Sequence, residues 1–149
     1  HLAPSQITPA LAQRAVLHTN GRLIRHVPAE LLTPALCLAS AQANGLTLQD
    51  IPQPLRSLEV CVAALEDRPD MFPQVPTELA VAVTTALIDN DLARIEEFCV
   101  SISDPRMRLI FRLRFVRCRS WAEIAGTLGR YYTEAGVCKM AYNYLKKIA

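Results

Sequence analysis

A 24-residue step runs through the first half of this chain. Val27-Pro28, Ile51-Pro52 and Val75-Pro76 fall 24 residues apart, and Leu31, Leu55 and Leu79 keep the interval, as do Cys37 and Cys61. A fixed period of this size marks stacked supersecondary units, each too small to bury its apolar face alone. Within a unit, Thr33 or Ser57 supplies an N-cap oxygen, Leu36 or Val60 follows, and small residues then allow close packing. Asn44-Gly45 is expected to end the helix with a left-handed C-cap. Pro28-Ala-Glu-Leu-Leu32 then reads as a brief second helix begun by proline. The first unit, Ala15 to Asn20-Gly21, carries one extra residue before Ala15, as terminal repeats often do.

These units, over roughly residues 7–80, resemble a short bacterial helical repeat of unknown function, patterned Val-Pro-x-Glu-Leu…Leu-Cys-Leu-x-Ala…Asn-Gly. The resemblance implies a scaffold or protein-contact surface and brings no catalytic residue with it.

The last third has a different grammar. Asp104-Pro105 opens a helix, with Asp as N-cap and Pro at the first helical position, expected to run to about Phe115–Val116. Leu109, Leu113 and Val116 are expected on one side, with Met107 and Phe111 extending it. On such a helix Arg108, Arg112 and Arg119 share one arc, and Arg106, Arg114 and Arg117 another. Ser120 and Glu123 form a capping box, followed by Trp121, Ile124, Ala125 and Leu128 on an inward face and by Gly129 as a stop. Thr133 caps a final helix with a buried stripe of Val137, Met140, Ala141, Tyr144, Leu145 and Ile148. Its outer face is left with Glu134, Ala135, Cys138, Lys139, Tyr142 and Asn143. Two short helices joined this way read as a helix-turn-helix, whose second helix meets base edges through its first turns.

Several stretches carry a family resemblance: Ile102-Ser-Asp-Pro-Arg-Met-Arg, Leu113-Arg-Phe, Ser120-Trp-Ala-Glu-Ile-Ala, Leu128-Gly129, Thr133-Glu134, Val137 and Tyr142-Asn-Tyr-Leu-Lys-Lys147. Over residues 88–148 the chain resembles the sigma-factor region that reads the −35 promoter element, and more closely the small phage-encoded transcriptional activators built on it. Leu92–Val100 is similar to the helix that precedes the motif there. The resemblance implies base contact through Thr133, Glu134, Ala135, Cys138, Lys139 and Tyr142. It implies phosphate contact through Arg117, Arg119, Ser120, Arg130, Lys146 and Lys147. Ala135-Gly136 and Cys138 depart from the family, which tends to place Asp-Ser and then Arg there.

Charge follows the same division. Residues 1–90 hold five arginines against eight acids, a net of −3, whereas residues 91–149 hold eleven Lys/Arg against six acids, a net of +5. A basic half fits a nucleic-acid module, and an arginine face that only solvates the fold is the plainer account. With 51% apolar and 20% charged residues the composition is globular and not disordered. Neither an 18-residue uncharged apolar run nor a basic-then-apolar leader is present, so the expectation is a cytoplasmic protein with no membrane partner. The five cysteines include no Cys-x-x-Cys pair and read as reduced thiols, mostly packed. His18 and His26 read as ordinary surface residues. No Gly-rich phosphate loop, His-x-x-x-His or acidic metal cluster occurs, so neither catalysis, cofactor nor metal is expected.

The sequence therefore predicts an all-α chain: helical repeats over 1–87, then a helix-turn-helix domain over 88–149. The expected function is DNA-binding transcription regulation, of phage or mobile-element origin, with the repeats serving protein contact or dimerisation. The expected partners are double-stranded DNA, RNA polymerase or another host protein, and a second copy of the chain. The alternative is a protein-binding inhibitor or adaptor, for example a phage-encoded blocker of host machinery or defence, that keeps the helix-turn-helix as a scaffold.

Overall fold

The computed structural model, described for residues 8–148, is all-α, with no strand among the described residues. His1 and the start of the repeat region lie outside the described residues. Seven α-helices follow in order: α1 Pro9–His18, α2 Pro34–Ala43, α3 Leu58–Asp67, α4 Ala80–Ser101, α5 Pro105–Phe111, α6 Trp121–Leu128 and α7 Glu134–Ile148. The chain divides within α4 into two compact units, His1–Leu87 and Ile88–Ala149.

In the first unit, each α-helix is followed by two 3₁₀ turns. The first turns end at His26, Asp50 and Gln74, and the second span Ala29–Leu31, Gln53–Leu55 and Thr77–Leu79, each set 24 residues apart. Hydroxyl caps start the α-helices: Thr8 Oγ1 accepts from Leu11 N at 3.3 Å, Thr33 Oγ1 from Leu36 N at 3.2 Å, and Ser57 Oγ from Val60 N at 3.4 Å. The period also organises the core. Ala12, Leu36 and Val60 are one buried set at this spacing, and Val16, Ser40 and Ala64 are another. The one hydroxyl among them, on Ser40, is satisfied by donating to Gly21 O at 3.2 Å. Arg56 ties neighbouring 24-residue repeats of this unit together. Its half-buried guanidinium donates to Ile51 O at 2.8 Å and Gln49 O at 3.4 Å in one repeat, and to Gln74 O at 2.7 Å in the next.

The expected left-handed cap at Asn44-Gly45 is corrected. Asn44 is extended (φ −163°, ψ 110°), and its Oδ1 accepts from Leu46 N at 3.1 Å, so it begins the next turn. Gly45 is held by proximity and not by handedness. A Cβ there would lie 2.2 Å from Ala64 O, and its N–H donates to Asp67 Oδ2 at 2.9 Å. The left-handed pair occurs one unit earlier, at Asn20 (φ 52°) and Gly21 (φ 78°).

The second unit packs around Phe111, whose ring centroid lies 5.7 Å from Phe98, 5.7 Å from Phe115 and 5.8 Å from Tyr144. Asp104 caps α5 through Arg106 N and Met107 N, and Arg108 donates twice to Ile102 O, at 2.9 and 2.7 Å. The expected apolar stripe of α5 shifts: Met107, Ile110 and Phe111 are buried, and Leu109 is 43% exposed. The cause is a wider, π-helical turn over Arg112–Val116, closed by Arg117 N donating to Arg112 O at 3.0 Å. After it the backbone leaves the helix, with Cys118 at φ 51°, so Arg117 and Arg119 do not continue the two arginine arcs. Leu92–Val100, expected as a helix, is the later part of α4.

Cys37, Cys61 and Cys99 are fully buried and burial pushes their thiols up, whereas Cys118 and Cys138 are exposed. A thiol reagent applied to the folded protein should therefore modify Cys118 and Cys138 fast and the buried three only on unfolding; rapid reaction of Cys37 or Cys61 would contradict this packing. Gly45→Ala should destabilise the first unit by roughly 1–3 kcal/mol in urea unfolding, through forced displacement of α3. Gly126→Ala in α6, where an added Cβ meets nothing within 4 Å, should stabilise by about 1 kcal/mol. Equal effects of the two substitutions would remove the case for close approach at Gly45.

Candidate nucleic-acid interface

The candidate surface begins with the start of α6. Ser120 Oγ accepts from Glu123 N at 3.2 Å, and the Glu123 carboxylate reaches back to Ser120 N at 2.8 Å, so the capping box is complete. The same carboxylate accepts from Ser120 Oγ at 2.9 Å and forms an ion pair with Arg119 at 2.8 Å. Hydrogen bonds from the Ser120 backbone and hydroxyl, then the one from Arg119, hold the Glu123 carboxyl below the usual glutamate range. Trp121 and Leu128 are half-buried and Ile124 and Ala125 buried, so α6 presents one face to the Phe111 core. The Arg114 guanidinium stacks 5.1 Å from the Trp121 centroid and donates to Arg119 O at 3.0 Å.

Gly129, at φ 110°, ends α6. Tyr132 N donates to Gly129 O at 3.0 Å, and Thr133 then caps α7, its Oγ1 accepting from Gly136 N at 3.1 Å. A Cβ on Gly136 would press within 3.1 Å of that hydroxyl, so the glycine that weakens the first turn in propensity also leaves room for its cap.

On α7, Val137 and Ala141 are buried, and Met140 and Tyr144 half-buried against the same core. Leu145 (39%) and Ile148 (51%) are exposed, a correction to the expected buried stripe: they stand beyond the set of residues packed around Phe111. Thr133, Glu134, Ala135, Cys138, Lys139 and Tyr142 are all exposed, along about three turns of one helix side.

The residues expected at phosphates are exposed too, but they are not equivalent. Among the described residues, Arg117 and Lys147 have no side-chain hydrogen-bond or ion-pair partner. Arg119 and Ser120 are engaged by Glu123. Lys146 sits 4.8 Å from the Tyr142 ring centroid, and Arg130 sits 5.1 Å from that of Tyr131. Lys146 and Lys147 also lie in the last turn of α7, where a cation stabilises the helix dipole without any ligand. Sequence reasoning passed over Tyr131, although the Gly-Arg-Tyr-Tyr-Thr link was its available signal.

The chain matches no family model, no curated protein and no solved structure. Among the described residues, no helix is long and apolar enough to cross a membrane, and no group of His, Cys, Asp or Glu is placed to hold a metal ion.

The capping box contributes stability that is full above the ordinary glutamate range and is lost as pH falls through the lowered value of Glu123. An NMR titration should place the Glu123 midpoint below that of a model glutamate. Arg119→Ala should return it only part of the way toward normal, because the bond from Ser120 N persists. A midpoint fully restored by Arg119→Ala would make the ion pair the leading cause.

Proposed function

We propose that the second unit binds double-stranded DNA and that the protein acts as a transcriptional regulator, with the repeat unit serving as its protein-contact part. The observation that carries this reading is the exposed outer side of α7, with Thr133, Glu134, Ala135, Cys138, Lys139 and Tyr142, in a unit that also exposes Arg117 and Lys147, which have no ion-pair partner among the described residues. A helix held by one face and open on the other, next to a capped helix and a short link, is what major-groove docking requires. Arg117 and Lys147 supply phosphate contact, and Lys139 is the one cation among the candidate base-contact positions. Regulation of transcription, rather than DNA binding alone, rests on the resemblance of the motifs to the phage activators.

A second reading, a protein-binding inhibitor or adaptor, draws on the thin base-reading chemistry of Ala135 and Cys138. It also draws on exposed apolar side chains along α4, where Val81 is 80% and Ile88 61% exposed. Either reading accommodates RNA polymerase, another host protein or a second copy as the macromolecular partner.

Fluorescence titration against duplex DNA of mixed sequence should give binding that weakens steeply with salt, by about 0.9 log units per log unit of salt for each phosphate neutralised. Arg117→Glu combined with Lys147→Glu should lower both affinity and slope. A slope near zero would sink the DNA reading, and capture of one protein partner, unaffected by the double substitution and by nuclease, would favour the adaptor.

A further inference from the structure

The link between α6 and α7 carries an aromatic side chain that the fold does not use. The Tyr132 N to Gly129 O bond, at 3.0 Å, closes a tight turn with Arg130 and Tyr131 at its tip. Tyr132 turns inward: it is half-buried, packs against the Phe111 core, and has the Arg106 guanidinium 5.8 Å from its ring centroid. Tyr131 turns outward and is 83% exposed, the most exposed of the large apolar and aromatic side chains among the described residues. It belongs to neither core, so its ring adds little to folding.

Its placement is nevertheless defined. The Arg130 guanidinium lies 5.1 Å from the Tyr131 centroid, and Arg130 Nη2 donates to the phenol oxygen at 3.1 Å. A cation over one face orients the ring and leaves the opposite face to solvent. Tyr131 stands two residues before Thr133, the cap of α7, and so beside the helix turns placed above at base edges. A flat, cation-backed ring of this kind is a stacking platform, and any base can occupy it because every base has a π-face. A base within an intact duplex cannot, since both its faces are already stacked on neighbours.

We infer that Tyr131 stacks on an unpaired DNA base, so that this interface favours duplex interrupted by unpaired bases over fully paired duplex. The inference rests on the DNA reading and narrows its substrate. Arg130 serves as the positioning residue for the ring and as a phosphate contact. Tyr142, 59% exposed with Lys146 over its ring, offers a second such surface on α7.

The test compares the full chain on a labelled paired duplex and on the same duplex carrying a short unpaired bubble. The wild type should bind the bubble duplex about tenfold more tightly, the effect of one stacked base. Tyr131→Ala should lose that preference while its affinity for paired duplex and its helical circular dichroism stay unchanged. Tyr131→Phe should retain the preference, because the ring and not the hydroxyl does the stacking. Equal wild-type affinity for the two duplexes, with paired duplex still bound, overturns the stacking inference and leaves the DNA reading standing. A phenylalanine variant as impaired as alanine also overturns it, since a ring still backed by Arg130 would then not be the group that binds. Binding of neither duplex overturns both.

Discussion

Burial of Val137 and Ala141 against the Phe111 cluster decides which side of α7 meets water. Both side chains are small relative to the aromatic rings around them, and they let the helix sit close to Phe111, whose ring lies 5.8 Å from that of Tyr144 on α7. The rest of the second unit serves this seating. The Asp104 cap and the paired bonds from Arg108 to Ile102 O fix the start of α5, and the capping box fixes the start of α6. With the inner face held, Thr133, Glu134, Ala135, Cys138, Lys139 and Tyr142 face outward as a consequence of packing, and the surface chemistry follows from which side chains the sequence happens to put there.

The first unit solves a different problem. A single helix followed by two short turns has too little apolar area to fold alone, and the 24-residue ladders show how stacking supplies it. Small residues at Ser40, Ala41, Cys61 and Ala64 let helices approach until backbone meets backbone, which is why Gly45 tolerates no Cβ beneath Ala64 O. Arg56 then spans two repeats through three carbonyls, a contact that packing alone would not provide.

What the sequence disclosed was whatever local chemistry dictates. The all-α class, the hydroxyl caps at Thr33, Ser57, Ser120 and Thr133, and the inward face of α6 could each be read from spacing within one turn of helix. Features that depend on contacts distant in sequence could not. Gly45 looked like a left-handed cap because Asn-Gly commonly is one, whereas its reason lies nearly twenty residues away at Ala64. Leu109 and Leu145 were placed inside by periodicity. The π-helical turn after α5 and the short reach of the core along α7 leave both exposed. Of the candidate site, exposure was legible: all twelve residues expected at DNA are exposed. It was not legible as chemistry, because the diversion of Arg119 and Ser120 to Glu123 and the pairing of Arg130 with Tyr131 are facts of three-dimensional placement.

The account stands on the outer side of α7 being the surface that meets DNA. Backbone amide NMR of the full chain, recorded with and without duplex, tests this most directly. The account predicts perturbations concentrated at Thr133 to Tyr142, Arg117 and Arg130, with the repeat unit unchanged. Perturbations confined to the repeat unit, or absent throughout at saturating duplex, would contradict it.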